Sequence, residues 1–240
     1  CIYGLYDGVI CISEAVAHFM RKRTPHHVEI RCIDNGVVLP SVDALVEAKR
    51  SEVVEGLTDA DFVMLQVARF SDQKNQDCVI RSLKLLPDNV HAVFAGYGVR
   101  LDACKQLAES LGVSTRTHFL GMRSDIARLW SIADIGVMSS HWEGFGLAAV
   151  EGMAYAKPVI ASDVPGLADV VKFDRLLFAP DNEQALANSV MRLYADTTER
   201  RRMGEMCWQR AQQYDINKMV DSYIEFYDEL LNKKGKQTKR

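Results

Sequence analysis

Residues 135–151 read Ile135-Gly136-Val137-Met138, then Ser139-Ser140-His141-Trp142-Glu143-Gly144-Phe145-Gly146, then Leu147-Ala148-Ala149-Val150-Glu151. The first four form a short apolar run of the buried-strand type. A loop with two glycines follows, and a helix is expected over 147–155. Strand, loop and helix in that order make one unit of a parallel sheet, because parallel neighbours need a crossover to connect them.

The same rhythm repeats on both sides of this stretch. A strand expected at Phe62–Val67 leads to a loop at 68–74 and a helix to about 86. A strand at 92–95 leads to Gly96-Tyr97-Gly98 and a helix to about 111, and one at 117–120 to a helix at Ile126–Ile132. A strand at 158–161 leads to Pro165-Gly166 and a short helix. The fold class is therefore α/β, a parallel sheet flanked by helices on both faces. Ligands of such sheets sit beyond the carboxyl ends of the strands, so each loop that follows a strand is a candidate binding loop.

Composition agrees with one large or two small domains. The 240 residues carry 29 Lys+Arg against 32 Asp+Glu, and 48 % are hydrophobic. The near-neutral balance, with a pI of about 6.1, lacks the electrostatic footprint of a nucleic-acid binder. No run of about 18 apolar residues suggests a membrane span. Six cysteines without a C-x-x-C pair read as reduced thiols, not a zinc site or disulfide framework. The chain opens on Cys1 with no signal peptide, and reads as a piece of something longer.

Outside the repeating region, 8–12 and 28–33 read as strands, with Ser13 capping a helix between them and Asp34-Asn35-Gly36 making a turn. Residues from Val37 to about Gly56 read as a connector. The C-terminal third is helical and ends in a one-sided stripe of Ile216, Met219, Val220, Tyr223, Tyr227, Leu230 and Leu231. The last eight residues hold five basic side chains and no acid, which suits a solvated tail or attraction to an acidic membrane surface.

Chemistry concentrates in the loop 139–146 and the helix start after it. Glycine permits close backbone approach, and the free amides of a first helical turn favour an anion or phosphate. Glu143 lies in the loop and Glu151 in the second turn of the helix. A carboxylate there suits the hydroxyls of a sugar or ribose; the plainer readings are a helix-start acid and an exposed helix residue. Competing patterns fail. Asp59-Ala60-Asp61 precedes its strand, at the wrong end of the sheet for a metal site. His141-x-Glu143 lacks the P-C-x-x-C partner of a deaminase. Leu101 stands where the dinucleotide fingerprint, which would mark a nicotinamide oxidoreductase, needs a third glycine. His18, His26, His27 and His91 are expected on surfaces or helix ends and show no ligand spacing, and Asp125 reads as the cap of the helix opening at Ile126.

The E-G-F-G-L-x-x-x-E block, followed by 152–162, resembles the E-x7-E signature of glycosyltransferase family 4. Val67-Ala68-Arg69-Phe70 with Lys74 is similar to the family's G-R-x…K-G element, with Ala68 and Asn75 where glycines are usual. Phe94-Ala95-Gly96-Tyr97-Gly98, His118-Phe119-Leu120-Gly121, Ala133-Asp134 and Asn35-Gly36 match further motifs in order. Val99 replaces a common proline and Ala156 a common glycine.

The resemblance implies a retaining enzyme with two facing Rossmann-like domains, the GT-B fold, of which most of the N-terminal acceptor domain is absent. It implies a remnant of that domain with connector over 1–57, a donor-binding domain over 58–212 and a crossover helix with basic tail over 213–240. Arg69 and Lys74 would neutralise the diphosphate of a nucleotide-sugar donor. Glu151 would hold the ribose and Glu143 would lie near the sugar, with Glu143, Arg69 and Lys74 the implied catalytic set. Gly96 would belong to the donor site, the Gly121-Met122-Arg123 turn would border the base, and Gly144, Phe145, Gly146 and Leu147 would meet phosphate or sugar. The implied partners are a nucleotide-sugar donor and a glycan or lipid-linked acceptor, with no nucleic acid, no metal and no cofactor. A cytoplasmic protein is expected, with peripheral contact at the inner membrane face and self-association through the C-terminal helix as further expectations. The chain alone is expected not to transfer sugar. The alternative is a non-catalytic nucleotide-sugar-binding module.

Overall fold

The computed structural model describes residues 2–41 and 48–237, with side chains to 234. The chain divides into two compact units, Cys1–Leu39 with Gln213–Arg240, and Pro40–Gln212. In the first, β1 (Gly8–Cys11) and β2 (Glu29–Cys32) pair in parallel, with Gly8 opposite Glu29. The crossover α1 (Glu14–Arg21) begins at Ser13, whose Oγ accepts from the Val16 amide at 3.3 Å. Ala17 and Met20 of α1 bury against Cys11.

The second unit opens with α2 (Arg50–Val53). Part of the expected connector, residues 42–47, lies outside the described residues. The repeating units follow as β3 (Phe62–Val67), α3 (Gln76–Ser82), β4 (Val90–Ala95), α4 (Leu101–Ser110), β5 (Thr117–Phe119) and α5 (Ile126–Ile132). Then come β6 (Ile135–Met138), α6 (Leu147–Ala154), β7 (Val159–Ser162), α7 (Leu167–Val171) and β8 (Leu177–Phe178), with α8 (Glu183–Ala195) and α9 (Thr197–Ala211) closing the unit. The strand order is β5-β4-β3-β6-β7-β8, parallel throughout. The chain winds from β3 out to β5, returns to place β6 beside β3, and winds out to β8. The reversal between β3 and β6 opens a crevice at their carboxyl ends.

Four local readings are corrected. β8 was not anticipated, since two residues are too few to carry a periodic signal. β4 starts at Val90, and α3 gives way at Leu83–Leu85 to a 3-10 turn. Asp125 stands before α5, but its side chain caps nothing: the Arg123 guanidinium takes both carboxylate oxygens, at 2.6 and 2.5 Å.

Glycine sets the seat of α6. Trp130 of α5 is wholly buried, and Cβ atoms at Gly136 and Gly152 would approach its ring to 3.0 and 2.6 Å. A bulky α5 side chain thus wedges against β6 and α6 only because both present a bare backbone. At the far end of α6, Ala156 takes a left-handed φ of 55°, the conformation for which glycine is the usual choice.

Helix α10 (Ile216–Gln237) completes the first unit. Its stripe folds down locally: Phe226, absent from the expected stripe, is 1 % exposed, and a Cβ on Gly8 would meet its ring at 2.7 Å and Leu230 at 2.8 Å. A Cβ on Gly36 would come within 2.6 Å of the Ile216 Cα, so the Asn35-Gly36 turn admits the start of α10. Val220, Tyr227 and Leu231 stay exposed. The basic tail is not simply solvated, because Lys233 pairs with Glu29 and Lys234 with Asp7. Residues 238–240 and the side chain of Lys236 lie outside the described residues.

Candidate functional site

The loops after β3 and β6 straddle the switch point and are stitched together. Gln66, buried near the end of β3, donates through Nε2 to the Lys74 carbonyl at 3.1 Å and to Ser139 Oγ at 3.3 Å. Ser139 Oγ lies 2.8 Å from the Asn75 carbonyl and 3.0 Å from that of Lys74. The His141 amide donates to the Gln73 carbonyl at 2.8 Å, and Gln73 Nε2 donates to the Trp142 carbonyl at 2.9 Å. The backbone around Lys74 is therefore held from three sides before its side chain makes any contact.

That side chain meets an expected neighbour in an unexpected way. Lys74 Nζ forms an ion pair with Glu143 Oε1, and Ser140 Oγ donates to the same oxygen at 3.3 Å. Spacing along the chain, 69 residues, gave no hint that the two would neutralise each other. Arg69, by contrast, is exposed, and its side chain makes no hydrogen bond or ion pair among the described residues.

The loop after β6 ends at Gly146, whose φ of 97° turns the chain into α6. Two glycines make this approach tight: Cβ atoms would lie 2.6 Å from Leu167 at Gly146, and 2.5 Å from the Glu143 carbonyl at Gly166. No side chain caps α6. Among the described residues the amides of Gly146, Leu147 and Ala148 donate to no protein acceptor, which leaves the positive end of the helix open to an anion. Phe145 is buried in the core. Glu151, one turn along, is partly buried and its carboxylate has no partner among the described residues. Burial alone pushes its pKa up.

A cavity of about 450 Å³ lies at the carboxyl ends of β3 and β4. Val67, Ala68, Gly96, Tyr97, Met122 and Ile126 form a largely apolar lining, with Arg69 and Arg123 beside them. Gly96 serves the fold as well, since a Cβ there would sit 2.0 Å from the Ala68 carbonyl. Arg123 is not a bare charge: its bidentate hydrogen bonds to Asp125 raise the guanidinium pKa and lower that of the carboxyl. The structure thus gathers Arg69, Gly96, Met122 and Arg123 around one cavity, and Lys74, Glu143 and the 144–147 loop across the switch point.

Among the described residues no three His, Cys, Asp or Glu side chains are grouped to hold a metal ion. The five described cysteines are free, and burial pushes the thiols of Cys78, Cys104 and Cys207 up to about 12. His91 is a correction: it is buried, with Nδ1 at 3.0 Å from His118 Nε2. No described helix is long and apolar enough to cross a membrane. Reading the sequence missed Gln66, Gln73 and Asp181 as builders of the site, and gave Ser139 and His141 of the 139–146 loop no role of their own. A glutamine inside the apolar run Phe62–Val67 was the one available signal.

Comparison with known proteins agrees with this fold. The family described as glycosyl transferases group 1 matches residues 48–207. The chain is 27 % identical, over 95 % of its length and 56 % of the relative's, to the N,N'-diacetylbacillosaminyl-diphospho-undecaprenol alpha-1,3-N-acetylgalactosaminyltransferase of Campylobacter jejuni. It is 36 % identical over 61 % of its length, and 35 % of the relative's, to a D-inositol 3-phosphate glycosyltransferase of Mycolicibacterium gilvum. The Anabaena protein HepE, solved in complex with UDP-glucose, superposes with a TM-score of 0.83 at 26 % identity, covering 93 % of this chain and 64 % of that one. The chain spans little more than half the length of the curated relatives it matches along most of its own. With a parallel Rossmann-like sheet, an anion-ready helix start at its switch point and a family match over two thirds of its residues, the chain belongs to the group 1 glycosyltransferases of GT-B fold.

Proposed function

We propose that this chain is the donor-binding part of a retaining glycosyltransferase that moves a sugar from a nucleoside diphosphate to a glycan or lipid-linked acceptor. The observation that carries the reading is the open start of α6, with unpartnered amides at Gly146, Leu147 and Ala148 beside a loop whose Glu143 is paired to Lys74. In the transfer, the bond between the sugar C1 and the diphosphate oxygen breaks, an acceptor hydroxyl oxygen bonds to C1 and gives its proton to the leaving diphosphate, and negative charge grows on that diphosphate as it departs. Fixed positive ends placed beforehand stabilise that charge most effectively. Arg69, Lys74 and the α6 amides supply them, and no metal is needed for that task. Glu151 accepts hydrogen bonds from ribose hydroxyls, its partly buried carboxylate gaining the donors it lacks. The base lies in the cavity bordered by Gly96, Met122 and Arg123.

HepE was solved with UDP-glucose, and the Campylobacter relative acts on a diphospho-undecaprenol-linked sugar to make an alpha linkage. These favour a UDP-sugar donor and a lipid-linked acceptor in synthesis of a surface polysaccharide or glycoconjugate, and an alpha linkage is retention where the donor sugar is itself alpha-linked to its diphosphate. Because the acceptor must be held against the donor, this chain by itself binds nucleotide and completes no transfer. Calorimetric titration tests the reading. UDP should bind at least about tenfold more tightly than uridine, the scale of one or two charge-assisted hydrogen bonds, and EDTA should leave both affinities within twofold. Equal binding of UDP and uridine rejects the diphosphate site. A loss of UDP binding in EDTA, restored by manganese, rejects the assignment of charge neutralisation to Arg69 and Lys74.

A further inference from the structure

Beside Lys74 lies a cluster that the proposed chemistry does not use. Asp181 Oδ1 accepts from Asn75 Nδ2 at 2.7 Å and lies 2.7 Å from His141 Nε2. Asn75 directly follows Lys74, His141 stands two residues before Glu143, and Asp181 sits between β8 and α8. One carboxylate oxygen therefore ties together segments that are 106 and 40 residues away along the chain.

The backbone shows that this tie is built into the loops. Asn75 has a φ of 47° and Asp181 a φ of 58°, the left-handed region that Asn and Asp enter more readily than other residues with a Cβ. Such residues usually steady that conformation by bonding to backbone close by. Asp181 instead directs its oxygen to two side chains from other loops. Asn75 does both: its Oδ1 accepts from the Cys78 amide at 3.3 Å and caps α3, while Nδ2 is held by Asp181. The amide is planar, so fixing Nδ2 also aims Oδ1 at the cap. His141 completes the bracket, with its amide on Gln73 and its ring on Asp181.

We propose that Asp181 is a positioning residue for Lys74, acting with Asn75 and His141 as a clasp that holds the loops after β3 and β6 in binding geometry. This rests on the reading of Lys74 as a diphosphate ligand. The clasp is poorly suited to a role in global stability, because the Asp181 side chain is 67 % exposed and exposed pairs contribute little to folding. What it does fix is the direction in which the Lys74 stem leaves the backbone, and so where Nζ stands relative to the α6 amides.

Two variants isolate the effect. Asp181→Gly suits the left-handed backbone and removes the acceptor, whereas Asp181→Asn keeps both the backbone preference and an Oδ1 acceptor. Asp181→Gly should weaken UDP binding about fivefold, the scale of one hydrogen bond to the diphosphate weakened by a misplaced Nζ, and leave uridine binding within twofold. Asp181→Asn should restore UDP binding to within twofold of the parent. The urea midpoints of all three proteins should agree. Amide hydrogen exchange without ligand supplies a second reading, with the Lys74 and Cys78 amides exchanging about fivefold faster in Asp181→Gly alone. Unchanged UDP affinity in Asp181→Gly, or an equal loss for uridine, overturns the proposal. If the parent binds no UDP at all, the reading of the site fails instead, and exchange then judges the clasp: unaltered rates at Lys74 and Cys78 overturn it.

Discussion

The two ends of the six-stranded sheet differ in the polar groups they leave open. At the amino end, Asp134 accepts from the Val63 amide and from Arg50 Nη2, both at 2.8 Å, and its own amide donates to the Val63 carbonyl at 2.9 Å. Arg116 donates to the carbonyls of Leu83 and Pro87, each at 2.9 Å. Asp61 accepts from the amide and hydroxyl of Thr58, and His91 bonds His118. At the carboxyl end, Arg69, Glu151 and the first amides of α6 have no protein partner among the described residues. Folding free energy favours satisfied polar groups. Groups left without partners are therefore where a ligand has something to offer. The Asp59-Ala60-Asp61 motif illustrates the point: it holds carboxylates, but its neighbours have already satisfied Asp61.

If the amino end is purely structural, damage there should lower stability and spare binding. Asp134→Ala strands the partly buried Arg50 and the Val63 amide, and should destabilise the protein by about 3 kcal/mol. Urea denaturation measures this; UDP affinity under folding conditions should stay within twofold. The converse experiment is Lys74→Ala, which should weaken UDP binding by about 2 kcal/mol, in part because Glu143 then meets the diphosphate unneutralised. Arg69→Ala should cost roughly half as much, since an exposed guanidinium retains water. Calorimetry against uridine, unchanged in both variants, would locate the loss on the phosphates.

Glu151 gives a sharper contrast, because binding and stability should move in opposite directions. Its folded pKa is raised by burial, so the fold favours the protonated form. That contribution is fully present below the ordinary glutamate pKa and is lost as pH rises through the folded value. Glu151→Gln should therefore raise the urea midpoint at pH 7.5 and leave it unchanged near pH 3. The same variant should bind UDP about fivefold less tightly, as a charge-assisted acceptor is lost, with a smaller effect on the dideoxy analogue. A fall in both properties would make Glu151 a structural residue.

The smallest effect belongs to the histidines of the amino end. Burial lowers the pKa of His91, and burial followed by the His91 charge lowers that of His118. Neutral rings are favoured in the fold, so their contribution is complete above the ordinary histidine pKa and fades as pH falls below it. Urea midpoints should drop between pH 7 and pH 5, and His118→Phe, which cannot charge, should flatten that slope without altering UDP affinity at pH 7.

How much of this was legible varies from element to element. The strands at Phe62–Val67 and Ile135–Met138 were plain because their apolar runs are continuous. β8 was not, because two residues carry no period. Helix α10 showed its amphipathic stripe, yet Phe226, its most buried ring, escaped notice among Glu225 and Tyr227. Its burial depends on Gly8, more than 200 residues earlier, presenting no side chain.

The sequence by itself determined the succession of strands, loops and helices, the loops from which a site could be built, and the Glu143-to-Glu151 spacing on one loop and helix. Those are matters of short-range periodicity, turn chemistry and helix starts, which a chain expresses within a dozen residues. Only the tertiary structure decided that β6 returns beside β3, that Lys74 is neutralised by Glu143, and that Asp181 reaches Asn75 and His141. Those depend on which side chains packing brings within about 3 Å, a distance at which hydrogen bonds form and which no local pattern encodes.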